Sequence, residues 1–158
     1  AVVFKAENYK NYYDYTTGKN GGAYRTENFV IEKKLDTHGG FNLGWITANE
    51  WLTYSNLVIP SSGSYTINLR VASPTGARVA LDLNAGSIYL GSVPISATNG
   101  WQNWKTVSFT TTIAAGTYQL GVYAETAGWN FNWIEVIPNG AASSSKSSSS
   151  IKSSFGVD

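Results

Sequence analysis

Hydrophobic and polar residues alternate along three stretches of the chain, and this period of two predicts half-buried antiparallel strands. The predicted apolar faces are Tyr65, Ile67, Leu69 and Val71 in residues 64–72, Val79, Leu81 and Leu83 in residues 77–84, and Tyr118, Leu120, Val122 and Ala124 in residues 117–124. A shorter strand is predicted at FVIEK (29–33). Nowhere does the spacing of apolar residues form the stripe of an amphipathic helix. The pattern therefore predicts an all-β fold.

Turn-forming residues separate the alternating stretches. The turn signals are PSSG (60–63), SPTG (73–76), NAG (84–86), TNG (98–100) and AAG (114–116). Proline, glycine and asparagine in such runs end strands and reverse the chain. Short strands at this regular spacing predict a β-sandwich jelly roll, in which two antiparallel sheets pack face to face.

Residues 11–44 depart from the alternating pattern, because they mix polar, aromatic and glycine residues. We expect long loops there, around the one short strand at 29–33. Long ordered loops on a sandwich are where binding sites are usually built.

The segment AGWNFNWIEV (127–136) combines aromatic rings with amides. If it is a strand, alternation places Phe131 and Trp133 on one face, where they can pack. Asn130 and Asn132 then lie on the other face and are available for binding.

The composition changes after Gly140, since nine of the eighteen residues in 141–158 are serine. We expect residues 1–140 to form one domain. Residues 141–158 have the composition of a flexible Ser-rich linker that tethers the domain to another module. A disordered terminus is the alternative.

Charge and cysteine content narrow the class of partner. The 158-residue chain carries a net charge of +1, and its first 140 residues hold nine basic and nine acidic residues. A neutral domain disfavours nucleic acid or an acidic membrane surface as partner. The lack of cysteine excludes disulfides and cysteine-ligated zinc. No run of about eighteen apolar residues predicts a membrane span.

The acidic residues do not form the pattern of a glycosidase, which needs two carboxylates roughly 5–10 Å apart across one bond. No strand carries two acids at i and i+2. We expect Glu50, Glu125 and Glu135 to be solvated or hydrogen-bonded groups at the rim. His38, in THGG, has no partners that would make a catalytic triad. No catalytic site is predicted.

Tryptophan and asparagine near turns suit the binding of a neutral sugar, since a pyranose ring stacks on an aromatic face and its hydroxyls need donors and acceptors. They occur together in HGGFNLGW (38–45), NGWQNWKTV (99–107) and GWNFNW (128–133). Trp45 and Trp101 each follow a glycine, and we expect their rings to be exposed. Core positions are expected for Trp51, Trp104 and Trp133.

Six strings occur in an order that resembles the carbohydrate-binding modules of family 6 over residues 3–137. They are FKAENY, GGFNLGWITANEWLTY (39–54), SGSYTINLRVAS (62–73), LGSVPISATNGWQNWKTVSF (90–109), AGTYQLGVYA (115–124) and WNFNWIEV (129–136). The resemblance implies a jelly-roll binding module, itself non-catalytic and monomeric. Such a module is covalently linked to a glycoside hydrolase that bacteria secrete to degrade polysaccharides.

The resemblance also implies which residues bind. Trp45 and Trp101 would sandwich a sugar ring and Asn130 would hydrogen-bond its hydroxyls. An additional wall is expected at Trp129, and rim contacts at Asn42 and His38.

A structural calcium ion is implied as well, with Glu7 and Asn132 as ligands. Lys5 stands where relatives commonly have Glu, and Asn132 stands where many have Asp. The resemblance therefore implies either a weaker site or one supplemented by loop carbonyls and acids such as Glu32 or Asp36. Calcium takes six to eight oxygen ligands.

Overall similarity favours a module from an agarase that binds agarose chain ends, with xylan or β-glucan as the alternative ligand. A small jelly-roll glycosidase and an adhesin-like calcium-dependent domain are the competing classes of function.

Overall fold

The described part of the chain contains twelve strands and one short 3-10 turn. A computed structural model describes residues 2–14, 19–20, 30–33, 41–44 and 46–139. The strands are β1 (Val2–Lys5), β2 (Asn11–Asp14), β3 (Lys19–Asn20), β4 (Val30–Lys33), β5 (Phe41–Gly44), β6 (Glu50–Ile59), β7 (Gly63–Ala72), β8 (Ala77–Leu83), β9 (Ile88–Ile95), β10 (Lys105–Ile113), β11 (Gly116–Ala124) and β12 (Asn130–Pro138). The 3-10 turn, Ala6–Asn8, directly follows β1. The predicted Ser-rich linker at 141–158 lies outside the described residues and stays a prediction.

The described strands form a sandwich of two six-stranded sheets. The first has the order β10–β7–β12–β5–β4, and β1 also pairs with β12. The second has the order β3–β2–β6–β11–β8–β9. The strand pairs within both sheets are antiparallel. This arrangement confirms the all-β sandwich that the alternating pattern predicts.

The core between the sheets is built from the alternating apolar faces. The residues predicted to face inward on β7 and β8 are buried, and so are Leu120, Val122 and Ala124 on β11. Tyr118 is only half-buried. Tyr54 lies between the sheets in edge-to-face contact with Phe131, with ring centroids 6.4 Å apart. Burial of these faces supplies the main driving force for folding.

The turn signals lie between consecutive strands, as predicted. Residues 60–62 connect β6 to β7, which begins at Gly63, and residues 84–86 form part of the connection from β8 to β9. The prediction of one short strand in residues 11–44 is wrong, since β2, β3 and β5 lie there as well as β4. These strands pair at the sheet edges or with short partners, so their sequences lack a long alternating stretch.

One extra residue in β12 interrupts its alternation. Phe131 pairs with Val71 and Trp133 pairs with Arg70, so Asn132 is bulged out of register with β7. A β-bulge of this kind reverses the facing of every later residue. The prediction that Phe131 and Trp133 share a face is therefore wrong: Phe131 is buried, whereas Trp133 lies on the outer face and is half-buried.

The tryptophans are distributed differently from the prediction. Trp51, Trp104 and Trp133 are half-buried rather than core residues. Among the tryptophans that the structure describes, Trp129 has the fully buried indole, and its ring centroid lies 5.5 Å from that of Phe131. The three half-buried tryptophans lie at the surface of a sheet or loop, where a side chain as large as an indole is only partly covered.

A close approach on the outer face of the second sheet requires glycine at position 121. Gly121 pairs with Asp82 on β8 and Thr53 on β6. A Cβ atom at this position would lie 2.2 Å from Oδ1 of Asp82 and 2.6 Å from Nε1 of Trp51. Asp82 is buried, and burial raises the pKa of its carboxyl group, while the hydrogen bond from Gly86 N–H opposes the rise.

We expect Gly121→Ala to destabilise the fold by about 1–3 kcal/mol, because two buried polar groups must shift to admit the methyl group. Gly63→Ala is the matched control, since a Cβ there has no atom within 4 Å. Urea unfolding followed by fluorescence measures both variants. Equal midpoints for the two variants would contradict the close packing around Gly121.

Candidate functional site

Three loops meet at one end of the sandwich, and the second and third of them lead to the predicted sugar-binding residues Trp101, Trp129 and Asn130. The loops connect β7 to β8, β9 to β10, and β11 to β12. Ser73, in the first loop, accepts a hydrogen bond from Thr98 N–H in the second (2.7 Å). Its Oγ donates to the carbonyl oxygen of Gly128 in the third (2.6 Å). These contacts fix the loops relative to one another.

Trp101 lies in the β9–β10 loop with 51% of its surface exposed, in agreement with the prediction for its ring. The turn before it is made possible by Asn99, which adopts a left-handed φ of 64°. Asn103 Nδ2 donates to the carbonyl oxygen of Asn99 and holds the turn closed (3.2 Å). An exposed indole on a hydrogen-bonded turn can present an aromatic face to a sugar ring.

Asn130 is the first residue of β12 and is almost completely buried, with 2% exposure. Its Nδ2 donates to the carbonyl oxygen of Trp101 (2.7 Å). A carbonyl oxygen can only accept, so the amide nitrogen must face it and Oδ1 remains as an acceptor. The structure thus brings together two of the predicted site residues from distant parts of the sequence.

Trp129 does not form a wall of the site. Its ring is 0% exposed, and its Nε1 donates to the carbonyl oxygen of Thr126 (3.1 Å). A fully buried ring has no face for a ligand, so the expectation of an additional wall is wrong. Trp129 instead packs against Phe131 beneath the loop.

The remaining predicted contacts fall on parts of the chain that are described in backbone only or not at all. Trp45 and His38 lie outside the described residues. Asn42 lies in β5, and only its backbone is described. Leu43 pairs with Phe131, so the C-terminal end of β5 runs beside the start of β12 and hence beside Asn130.

The two predicted calcium ligands are brought close by the pairing of β1 with β12. Lys5 pairs with Trp133, which places the 3-10 turn containing Glu7 beside Asn132. Oε1 of Glu7 is buried with no hydrogen-bond partner, and Asn132 is buried. The Glu7 carboxylate also adds to the rise that burial causes in the pKa of Tyr54.

The side chains of the acids expected to supplement the predicted calcium site are not described. Only the backbone of Glu32 is described, and Asp36 lies outside the described residues. Within the described ranges, no three His, Cys, Asp or Glu side chains come together in a metal-binding group.

The acids considered for catalysis are engaged in structural hydrogen bonds. Glu50 is buried rather than at the rim, and its Oε1 accepts from Thr47 N–H (2.8 Å). Glu125 accepts from Ser92 Oγ (2.5 Å), and Glu135 accepts from Asn68 Nδ2 (3.3 Å). Glu50 differs from the prediction because its carboxylate caps a tight turn.

Ser73 and Thr98 were not identified by sequence reasoning as parts of the site. Both lie in turn signals, where serine and threonine are common. Nothing in the sequence distinguishes a loop-joining hydroxyl from a solvated one, because the partner lies 25 residues away.

Comparison with known proteins agrees with this architecture. The model of the carbohydrate binding module (family 6) matches residues 22–138. Residues of this chain are 45% identical over 107 positions to the clotting factor G alpha subunit of Tachypleus tridentatus, covering 67% of this chain and 16% of that protein. They are 25% identical over 126 positions to β-agarase AgaA of Microbulbifer thermotolerans, covering 77% and 28%. The chain spans less than a third of either relative.

Two solved structures are also similar over nearly their whole length. One is the C-terminal family 6 module of LamC, a marine laminarinase from Zobellia galactanivorans, with 38% identity and a TM-score of 0.73, covering 86% of this chain and 98% of that one. The other is a module of Cellvibrio mixtus lichenase 5A in complex with cellotriose, with 35% identity and a TM-score of 0.75, covering 87% and 97%.

No helix among the described residues has the length and apolar character needed to cross a bilayer. The sandwich, the joined loops and the family match lead to one conclusion. This chain belongs to family 6 of the carbohydrate-binding modules, and it is a non-catalytic binding module.

Proposed function

We propose that the module binds a neutral β-glucan chain at the loop end of the sandwich. The observation that carries the proposal is the exposed ring of Trp101, whose backbone is held by the buried amide of Asn130 (2.7 Å). Trp101 supplies the stacking face, and Oδ1 of Asn130 accepts from a sugar hydroxyl. Trp45 is the second aromatic face in this proposal. The equal numbers of basic and acidic residues in the domain suit an uncharged ligand.

The choice of β-glucan over agarose rests on the named relatives. A module from a laminarinase and one in complex with cellotriose are 38% and 35% identical to this chain. The agarase is 25% identical. Agarose stays the alternative ligand, since no described residue has chemistry that selects glucose over galactose.

The proposal extends to the longer protein. The chain covers only 16% and 28% of the curated relatives, as expected for one module of a larger molecule. A Ser-rich tether would keep a catalytic module of a secreted glycoside hydrolase at high effective concentration on its polysaccharide.

Affinity gel electrophoresis tests the ligand with laminarin, lichenan, xylan and agarose in parallel gels. We expect retardation by laminarin or lichenan and unchanged mobility in agarose. Retardation in agarose alone would contradict the β-glucan proposal and support the agarose alternative.

Trp101→Ala should weaken β-glucan binding by about 2 kcal/mol or more, which is typical of the loss of a central aromatic contact. The fold should remain intact, because half of this side chain is already exposed. Val58→Ala is the control, since Val58 is also 51% exposed but lies on β6 outside the joined loops. Titration calorimetry with laminari-oligosaccharides measures both, and equal affinities would refute the stacking role of Trp101.

We also propose a structural calcium site at Glu7 and Asn132. Its support is the buried Oε1 of Glu7, because a buried carboxylate oxygen without a hydrogen bond is costly and a cation would offset that cost. Carboxylate and amide oxygens are suitable calcium ligands, and backbone carbonyls can complete the shell. A bound ion would tie the segment after β1 to β12.

Removal of calcium with a chelator should then lower the midpoint of thermal unfolding, since an ion that binds only the folded state stabilises it. Glu7→Gln should abolish most of that response, whereas Glu125→Gln, away from β1, should retain it. Identical midpoints with chelator and with added calcium would rule the site out.

A further inference from the structure

Ser73 is a fully buried residue whose polar groups join the three loops of the site. Its Oγ donates to the carbonyl oxygen of Gly128 (2.6 Å) and accepts from Gly76 N–H (2.9 Å). Its backbone N–H donates to Oγ1 of Thr98 (2.9 Å), and its carbonyl oxygen accepts from Thr98 N–H (2.7 Å). The N–H, carbonyl and hydroxyl groups of this one residue are therefore all used to hold loops together.

Thr98 carries this connection to Trp101. Its Oγ1 lies 3.1 Å from the carbonyl oxygens of both Ser73 and Gly100 and shares its proton between them. Gly100 directly precedes Trp101, whose carbonyl oxygen accepts from Asn130. Asn130 in turn follows the loop that Ser73 holds. The hydrogen bonds and the chain segments between them thus form a closed ring that begins and ends at Ser73.

This closed ring of hydrogen bonds holds Trp101 in place of the side-chain packing that it lacks. Half of the indole is exposed, so contacts with other side chains constrain it only partly. The turn that carries it is held instead by hydrogen bonds from the side chains of Thr98 and Asn130 to the backbone carbonyl oxygens of Gly100 and Trp101. When the Trp101 indole is already held in place, the loop and the side chain lose little conformational entropy on binding. A ligand that stacks on the indole then does not have to offset that loss.

We propose that Ser73 and Thr98 are positioning residues of the carbohydrate site, which preorganise Trp101 without touching the ligand. Ser73 has no exposed surface, and the Thr98 hydroxyl is directed to backbone groups of Ser73 and Gly100. The inference rests on the proposed function, since it assigns these residues to binding rather than only to stability.

Thr98→Val tests the proposal in the complete 158-residue chain, because valine keeps the shape of threonine and removes the hydroxyl. We expect its affinity for laminari-oligosaccharides to fall roughly tenfold, the effect of losing a few preorganising contacts. Thr98→Ser retains the hydroxyl and should restore affinity to within about twofold. Thr112→Val, at an exposed position of β10, makes the same substitution away from the ring and should bind as the wild type does.

A second measurement needs no ligand. The indole ¹H–¹⁵N resonance of Trp101, assigned by its absence from the spectrum of Trp101→Phe, should shift or broaden in Thr98→Val while the other five indole resonances stay in place. A purely structural role of Thr98 would lower the unfolding midpoint without moving this resonance.

The two measurements distinguish a failure of the positioning proposal from a failure of the proposed function. If Thr98→Val binds like the wild type and the Trp101 resonance does not move, the positioning role is wrong. If the wild type binds no β-glucan or agarose, the proposed function fails, and the resonance alone decides whether Thr98 holds Trp101.

Discussion

The hydrogen bond from Asn130 to the carbonyl oxygen of Trp101 is the interaction on which the proposed binding site depends. It joins a residue with 2% exposure at the start of a core strand to an exposed aromatic residue on a loop. Leaving a buried amide without a hydrogen-bond partner costs more free energy than the bond itself contributes to stability. This penalty opposes any separation of the loop from the strand. The rigidity of the sandwich is thereby transmitted to an aromatic surface in solvent.

The extra residue at Asn132 lets one short strand perform several tasks. Before the bulge, β12 supplies the amide of Asn130, which bonds to the Trp101 loop, and the core ring of Phe131. After it, Ile134 and Val136 return to the core. At the bulge itself, the side chain of Asn132 is buried beside the turn that carries Glu7. The bulge reverses which residues of β12 face the core, and this reversal explains why aromatic rings and amides are mixed in the segment.

The sequence predicts the sandwich well because long strands with one buried face must alternate. The stretch 64–72 is such a strand, and its inward residues are those that alternation selects. Alternation predicts the wrong facing after Asn132, because the order of polar and apolar residues does not indicate the position of a β-bulge. It also fails for β2 and β5, which are too short to show a period.

The site is predictable only in part for a different reason. Glycine before Trp101 indicates an exposed turn, and the exposure is observed. The burial of Trp129 could not be recognised, because it depends on Phe131 packing beneath a loop whose path is set by contacts distant in sequence. The roles of Ser73 and Thr98 likewise depend on hydrogen bonds across 25 and 55 residues, which composition and periodicity do not encode.

The central claim is that a β-glucan chain binds where Trp101 and Asn130 meet. The most direct test is an NMR titration of the ¹⁵N-labelled chain with a laminari-oligosaccharide. The largest shift changes should fall on the Trp101 indole and the Asn130 side-chain amide, with smaller changes along residues 96–104. Changes centred instead at the opposite end of the sandwich, around Pro60 and Pro138, would contradict the account.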